Sequence, residues 1–406
     1  MNCLTVEERV VPDWMKLPVA LQHQFFEQAE LEARRCKRRL LERAERLQSL
    51  KRHLKVEAIP ESDAWKDWRV AVVDGSNSPM TSERLGSRYG AYCAGYMIFQ
   101  GRQQIEEGYR PGSFLQDQVG SQDVAQKLLT MLRVKLEREV ALECLKHKEI
   151  DLLLIDGSFF GFRADASVIN REVIDYGGYD QGKELTEDVR DLTLEILRSG
   201  KAVGVIKRTR SNAIDGWLIS KYGNLTYCLN CNDKYILSSV LPPRHWFAYE
   251  WLFGNPLHFN YYIHFRTLSR RHALEEGRVN VQKLYQSAVE RTNTSILQNL
   301  GCDHAKILCT ARHFVRCSSI ASPFEFEAHI NTDVKPMLPY FLDFHNPATG
   351  LPWPIDLIDS NASLPRGFTK EFVEEIEARL IRDPELSDKA ALLEYFSYLN
   401  PQKEED

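Results

Sequence analysis

The sequence predicts an α/β protein built on a buried central sheet. Three observations carry this. One phrase occurs twice: Val70-Ala71-Val72-Val73-Asp74-Gly75-Ser76 and Leu152-Leu153-Leu154-Ile155-Asp156-Gly157-Ser158. Each copy is a continuous apolar run, the pattern of a strand covered on both faces. A third run, Ala202-Val203-Gly204-Val205-Ile206, ends in Lys207-Arg208. Helical stretches at residues 121–148 and 188–199 lie between and beside these runs.

The chain has 406 residues, 43% hydrophobic and 27% charged. That exceeds a single small domain and allows a sizeable core. The formal net charge of −5 excludes only a strongly basic surface. No apolar stretch reaches membrane-spanning length, and Met1 to Val10 has no signal-peptide pattern. The expected compartment is the cytoplasm, where the 9 cysteines are mostly reduced. Cys228 and Cys231 form a CxxC, without a second pair at zinc-ribbon spacing. Cys302, Cys309 and Cys317 with His304 and His313 form a loose group; buried thiols are the plainer reading.

Residues 21–54 lack Gly and Pro and carry a rough helical stripe of Phe25, Leu31, Leu40, Leu41 and Leu47. The basic cluster Arg34, Arg35, Lys37, Arg38, Arg39 is either a DNA contact or the solvated face of a long helix. Ile59 to Asp63 reads as a linker. The expected division is an N-terminal helical extension (1–60), a core domain (61–368) and a C-terminal helical tail (369–406). Within the core, residues 77–89 read as a polar loop and 91–100 as a strand. Residues 109–120, with Gly and Pro, read as another loop. Ser121 or Asp123 caps the helix that runs to Lys148. Gly200 suits the C-terminal cap of the helix at 188–199. Further strands are expected at 235–241, 258–265 and 312–330. Two helices broken near Pro384 end the chain.

If the two Asp-Gly-Ser strands are neighbours, Asp74 and Asp156 meet at a sheet edge, with each Gly turning the chain. Two close carboxylates repel unless they share a proton or hold a cation. Each Asp could instead cap a following turn. On the helix at 121–148, Leu128, Leu132 and Leu136 form a stripe. Glu139 and Glu143 project into it, and Glu137 well away from it. A carboxylate on a buried face needs a partner, so Glu139 is the expected third ligand. Such an oxygen set suits Mg²⁺ or Mn²⁺. A two-metal site is apt for phosphodiester hydrolysis. Lys207 would add a point charge near the phosphate, or simply pair with an acid.

These marks resemble the NurA nuclease family: VVDGS at 72–76, a Glu on the helix before the second copy, LIDGSF at 154–159 and VIKR at 205–208. The resemblance spans about Trp68 to Phe368. It implies an RNase H-like mixed sheet flanked by helices, and a homodimer. It further implies Mn²⁺-dependent single-strand endonuclease and 5′→3′ exonuclease activity on DNA, in end resection with a hexameric HerA ATPase. It places metal carboxylates at Asp74, Glu139 and Asp156. The family's C-terminal P-x-P-L-x-x-A-H pattern aligns with Pro352 to Asp359, so Asp359 stands where the family has His, with Asp356 as its rival. An Asp there can bind metal but is a poor proton carrier near neutral pH. Two alternatives compete. An actin- or sugar-kinase-like enzyme also repeats such a turn, but needs a Gly-rich phosphate loop that is not found here. A non-catalytic partner protein leaves the three acids unexplained.

Overall fold

Strand β1 is Glu57–Ala58, β2 Arg69–Asn77, β3 Ser82–Glu83, β4 Ser87–Gln100, β5 Gln103–Asp117 and β6 Leu152–Asp156. Strands β7 Val173–Tyr176 and β8 Tyr179–Gln181 form a separate ribbon. Then come β9 Ala202–Ile206, β10 His245–Ala248, β11 Thr310–Arg316 and β12 Phe324–His329. This computed structural model describes residues 13–117, 121–276 and 280–400. Helices are α1 Val19–Lys51, α2 Gln122–His147, α3 Arg163–Ile169, α4 Gly182–Arg198, α5 Ala213–Tyr222, α6 Asp233–Val240 and α7 Tyr249–Phe253. They continue with α8 His258–Glu276, α9 Val281–Leu300, α10 His304–Ile307, α11 Leu338–Asp343, α12 Trp353–Ala362, α13 Phe368–Arg382 and α14 Lys389–Phe396.

Two compact units result, residues 1–53 and 54–406. The first is essentially α1. The boundary falls before Ile59 rather than after it, because β1 pairs with β10 and Ile59 is buried in the main core. The expected C-terminal tail is also part of the second unit: Val373 and Phe396 pack on Tyr89 of β4.

The sheet runs β1-β10-β11-β12-β9-β6-β2-β4, with β5 on the outer side of β4. The stretch β5-β4-β2-β6-β9 has an RNase H-like order. Its first three strands are an antiparallel meander, and β2-β6-β9 are parallel. Strands β12, β11, β10 and β1 extend it antiparallel. Side chains alternate between faces. Val70, Val72, Leu152 and Leu154 face a core with Ile355 and Ile358 of α12. Ala71, Val73, Leu153 and Ile155 face a core with Val140, Ala141 and Cys144 of α2.

Four local expectations change. Residues 103–117 form an edge strand, not a loop. Its Gly and Pro are tolerated because tyrosine rings lie across the glycines. A Cβ at Gly108 would sit 2.5 Å from the Tyr96 ring, and one at Gly112 2.3 Å from Tyr92. Both tyrosines are the direct cross-strand partners. Residues 118–120 of the expected loop lie outside the described residues. Residues 233–240 are helical because Asn232 caps them, accepting from the Tyr235 N–H at 2.8 Å. Residues 258–265 begin α8; their aromatic content favours a strand, but Phe259 and Phe265 pack as helix-face anchors. The long strand expected at 312–330 is a hairpin, β11-β12, turning through residues 317–323.

Candidate metal centre

Asp74 lies on β2 and Asp156 ends β6, and the two strands pair in parallel with Val73 opposite Ile155. The repeated phrase then diverges. After Asp156 the chain turns: Gly157 has φ of +100°, a region that only Gly enters easily. After Asp74 it does not turn. Gly75, Ser76 and Asn77 stay in β2 and pair with β4. Gly75 serves a different purpose. A Cβ there would lie 2.8 Å from Arg133 Cδ and 3.1 Å from Glu137 Oε2. Its missing side chain lets those groups on α2 close over the strand.

Asp74 shares a face with Val70 and Val72, toward α12. Ile355 and Ile358 anchor α12 on that face, and Asp359 follows them to the sheet edge. One carboxylate oxygen each from Asp74, Asp156 and Asp359 fall within 4.8 Å of one another. Lys207, just beyond β9, places Nζ 2.7 Å from Asp156 Oδ2 and 3.0 Å from Asp359 Oδ1. Asp356 is elsewhere, accepting from Asn346 and Thr349 at 2.8 and 2.5 Å.

The electrostatics follow from burial. The Asp74 carboxyl is pushed up to about 8 by desolvation, then by Asp156 and Glu137; Lys207 and the Gly75 N–H oppose this. Asp156 is raised by desolvation against the pull of Lys207. Lys207 is raised because the Asp156 and Asp359 carboxylates outweigh its own desolvation. Asp74 and Asp156 are hard oxygen donors whose ionisation burial opposes, and a hard divalent cation would supply the compensating charge.

The third ligand expected from helix phase is not here. Glu139 pairs with Lys135 and lies 3.9 Å from Arg110. It lines a groove with Asp188, Asp191 and Glu195. The physical reason is that α2 is buried on two opposite faces. Leu128 and Leu132 pack against Leu185 and Val189 of α4. Val140, Ala141 and Cys144 pack on the sheet. Glu137 is on that second face, 1% exposed, and reaches past Gly75 toward the aspartates. Its carboxylate accepts from Arg138 at 2.5 Å and Arg133 at 2.8 Å. The signal available in the sequence was the second stripe, Val140-Ala141-Cys144, one turn below Glu137.

Sequence reasoning also missed a buried network behind the second turn. Glu327 on β12 accepts from Ser158 Oγ at 2.7 Å and from the Phe159 N–H. Arg312 on β11 reaches Glu327 at 3.1 Å, Glu325 at 3.0 Å and Ser158 Oγ at 3.1 Å. Arg138 donates to the carbonyls of Ser158 and Phe159, each at 3.4 Å. One guanidinium therefore joins Glu137 to the turn that follows Asp156. Among the described residues the loose Cys/His group forms no metal-ligand cluster. Cys317 bonds the Phe341 carbonyl, His313 stacks on Phe326, and the His304 side chain lies outside the described residues. Cys228 is buried beside Ile219 and Phe265.

Residues 68–269 match the NurA domain model. The chain carries a domain of the NurA nuclease family. The NurA domain match ends well before Asp359, so α12 lies beyond it. Among solved structures, the NurA nuclease from Sulfolobus solfataricus is similar, with a TM-score of 0.56 and 13% identity over 91% of this chain and 99% of that one. A NurA structure bound to dAMP and manganese has a TM-score of 0.41 and 13% identity, over 93% of this chain and 100% of that one. No curated protein matches the chain. Among the described residues, no helix is long and apolar enough to cross a membrane.

Proposed function

We propose that this NurA protein is a cytoplasmic, metal-dependent DNA nuclease whose cation sits among Asp74, Asp156, Asp359 and Glu137. The observation that carries the reading is the three-aspartate cluster at the edge of neighbouring parallel strands, with Lys207 beside it. When bound, Mn²⁺ or Mg²⁺, as one ion or a pair, would polarise the scissile phosphate and lower the pKa of the attacking water. Asp74 and Asp156 hold the cation from the sheet. Glu137 approaches from the opposite face through the gap at Gly75. Lys207 offers its ammonium to a phosphate oxygen once a cation relieves it of pairing both aspartates. Asp359, at the position of the family's His, supplies charge rather than a proton.

The family resemblance supports the finer reading: single-strand endonuclease and 5′→3′ exonuclease action on DNA ends, in break resection, by a homodimer working with a HerA-type hexameric ATPase. The test uses labelled single-stranded DNA with Mn²⁺, Mg²⁺, Zn²⁺ or EDTA. Cleavage with the first two, and its loss by on the order of a thousandfold in Asp74→Asn and Asp156→Asn, is expected. Undiminished cleavage in EDTA overturns the proposal.

A further inference from the structure

Helix α1 runs for 33 residues, about 50 Å, and nearly all of it is bare. Steps of three and four residues lead from Val19 through Phe26, Ala29, Ala33, Cys36, Leu40 and Leu47 to Leu50. That is the seam of a two-stranded coiled coil. Val19, Phe26 and Leu40 on it are 66%, 57% and 52% exposed. Leu47 is half-buried and Leu50 buried within the single chain. Two seam positions are polar, Gln22 and Arg43.

The charges flanking the seam are segregated. Residues 19–33 hold three glutamates and no Lys or Arg; residues 34–51 hold eight Lys or Arg and two glutamates. We infer that α1 is the docking surface for α1 of a second copy, laid antiparallel. This deepens the homodimer reading above and rests on it. The seam's midpoint falls between Ala33 and Cys36. Reversal about it sets Ala33 against the partner's Cys36, Ala29 against the partner's Leu40, and Phe26 against the partner's Arg43. Two small residues meet at the centre, a small one meets a large one a turn away, and the buried cation meets a ring face.

Flanking positions also match. Glu30 comes beside the partner's Lys37, and Glu32 beside the partner's Arg39; two-fold symmetry doubles both. In the single chain Glu30 and Glu32 use exposed neighbours on their own helix, Arg34 at 3.1 Å and Arg35 at 2.5 Å. Lys37 and Arg39 enter no ion pair among the described residues. A parallel pair would keep Glu32 near the partner's Lys37. It would also bury Arg43 against the partner's Arg43 and lay two basic halves side by side, which is costly.

The test uses the full chain, with assembly measured by sedimentation over a dilution series. Glu30→Lys/Glu32→Arg should weaken the dimer by on the order of a hundredfold, because each attractive pair becomes repulsive. Lys37→Glu/Arg39→Glu should do the same, and mixing the two variants should restore a dimer. Ala33→Cys should cross-link through native Cys36 under mild oxidation, and adding Cys36→Ser should abolish the cross-link. A dimer indifferent to both charge swaps refutes this surface and leaves the homodimer reading intact. A wild-type chain that stays monomeric, or swaps that alter only binding to DNA or to an ATPase ring, overturns it as well; the monomer also overturns the homodimer reading.

Discussion

Replacing Asp74 by Asn should stabilise the metal-free protein, and by more at higher pH. The folded carboxyl is raised from 3.8 to about 8. Well below pH 3.8 the group is protonated both folded and unfolded, so it costs nothing. As pH rises, the unfolded chain loses the proton and the folded one keeps it, so stability falls. Above pH 8 the loss is complete. One pKa unit corresponds to about 1.4 kcal/mol, so the ceiling is on the order of 6 kcal/mol. Asn removes this cost and still accepts the Gly75 N–H, which reaches Asp74 Oδ1 at 2.7 Å. Thermal melts in EDTA at pH 5, 7 and 9 should show the variant's advantage growing to several degrees. With Mn²⁺ the order should reverse, because only the wild type gains binding energy. Parallel curves across pH would refute the desolvated acid cluster.

Glu137→Gln should abolish metal-dependent cleavage and lower stability, because Arg133 and Arg138 lose a buried counter-charge, an effect of about 3 kcal/mol; Glu139→Gln, on the exposed groove, should be nearly silent in the same gel assay. The reverse pattern would place the third ligand on the other face of α2. Gly75→Ala should displace Arg133 and Glu137 by a few tenths of an ångström, weakening Mn²⁺ affinity in calorimetry while circular dichroism stays native. Glu327→Gln keeps an acceptor for Ser158 but removes the charge that Arg312 pairs with; hydrogen exchange at Gly157 to Phe159 should quicken, and kcat should fall with KM for DNA unchanged.

How much of this was legible depended on how many faces an element buries. The strands of Asp74 and Asp156 are covered on both sides, and their unbroken apolar runs announced them. The register that brings the two aspartates together followed from their pairing. The same double coverage defeated the reading of α2. With apolar stripes on opposite sides, periodicity alone could not say which one lay on the sheet, and Glu139 was chosen over Glu137. The Asp-Gly-Ser phrase hid a second ambiguity. Gly157 supplies a positive φ, whereas Gly75 supplies only empty space, and letters do not distinguish the two uses. The edge strand at 103–117 was missed because Gly108 and Gly112 signal a loop until Tyr96 and Tyr92 are seen lying over them.

Asp359 stands some two hundred residues beyond Asp156 in the chain, on α12, and β12 takes its place beside β9 almost as late. Synthesis from the N-terminus therefore makes both strand aspartates long before the carboxylate that completes the proposed centre. A chain halted between residues 269 and 359 carries the whole NurA domain match without the last carboxylate of the proposed centre. Ribosome stalling or a premature stop would then release an inert fragment rather than an unpartnered DNA-cleaving one. The same order makes the exposed loop at residues 347–349, between α11 and α12, a natural place to divide the protein into halves that regain activity only on recombination.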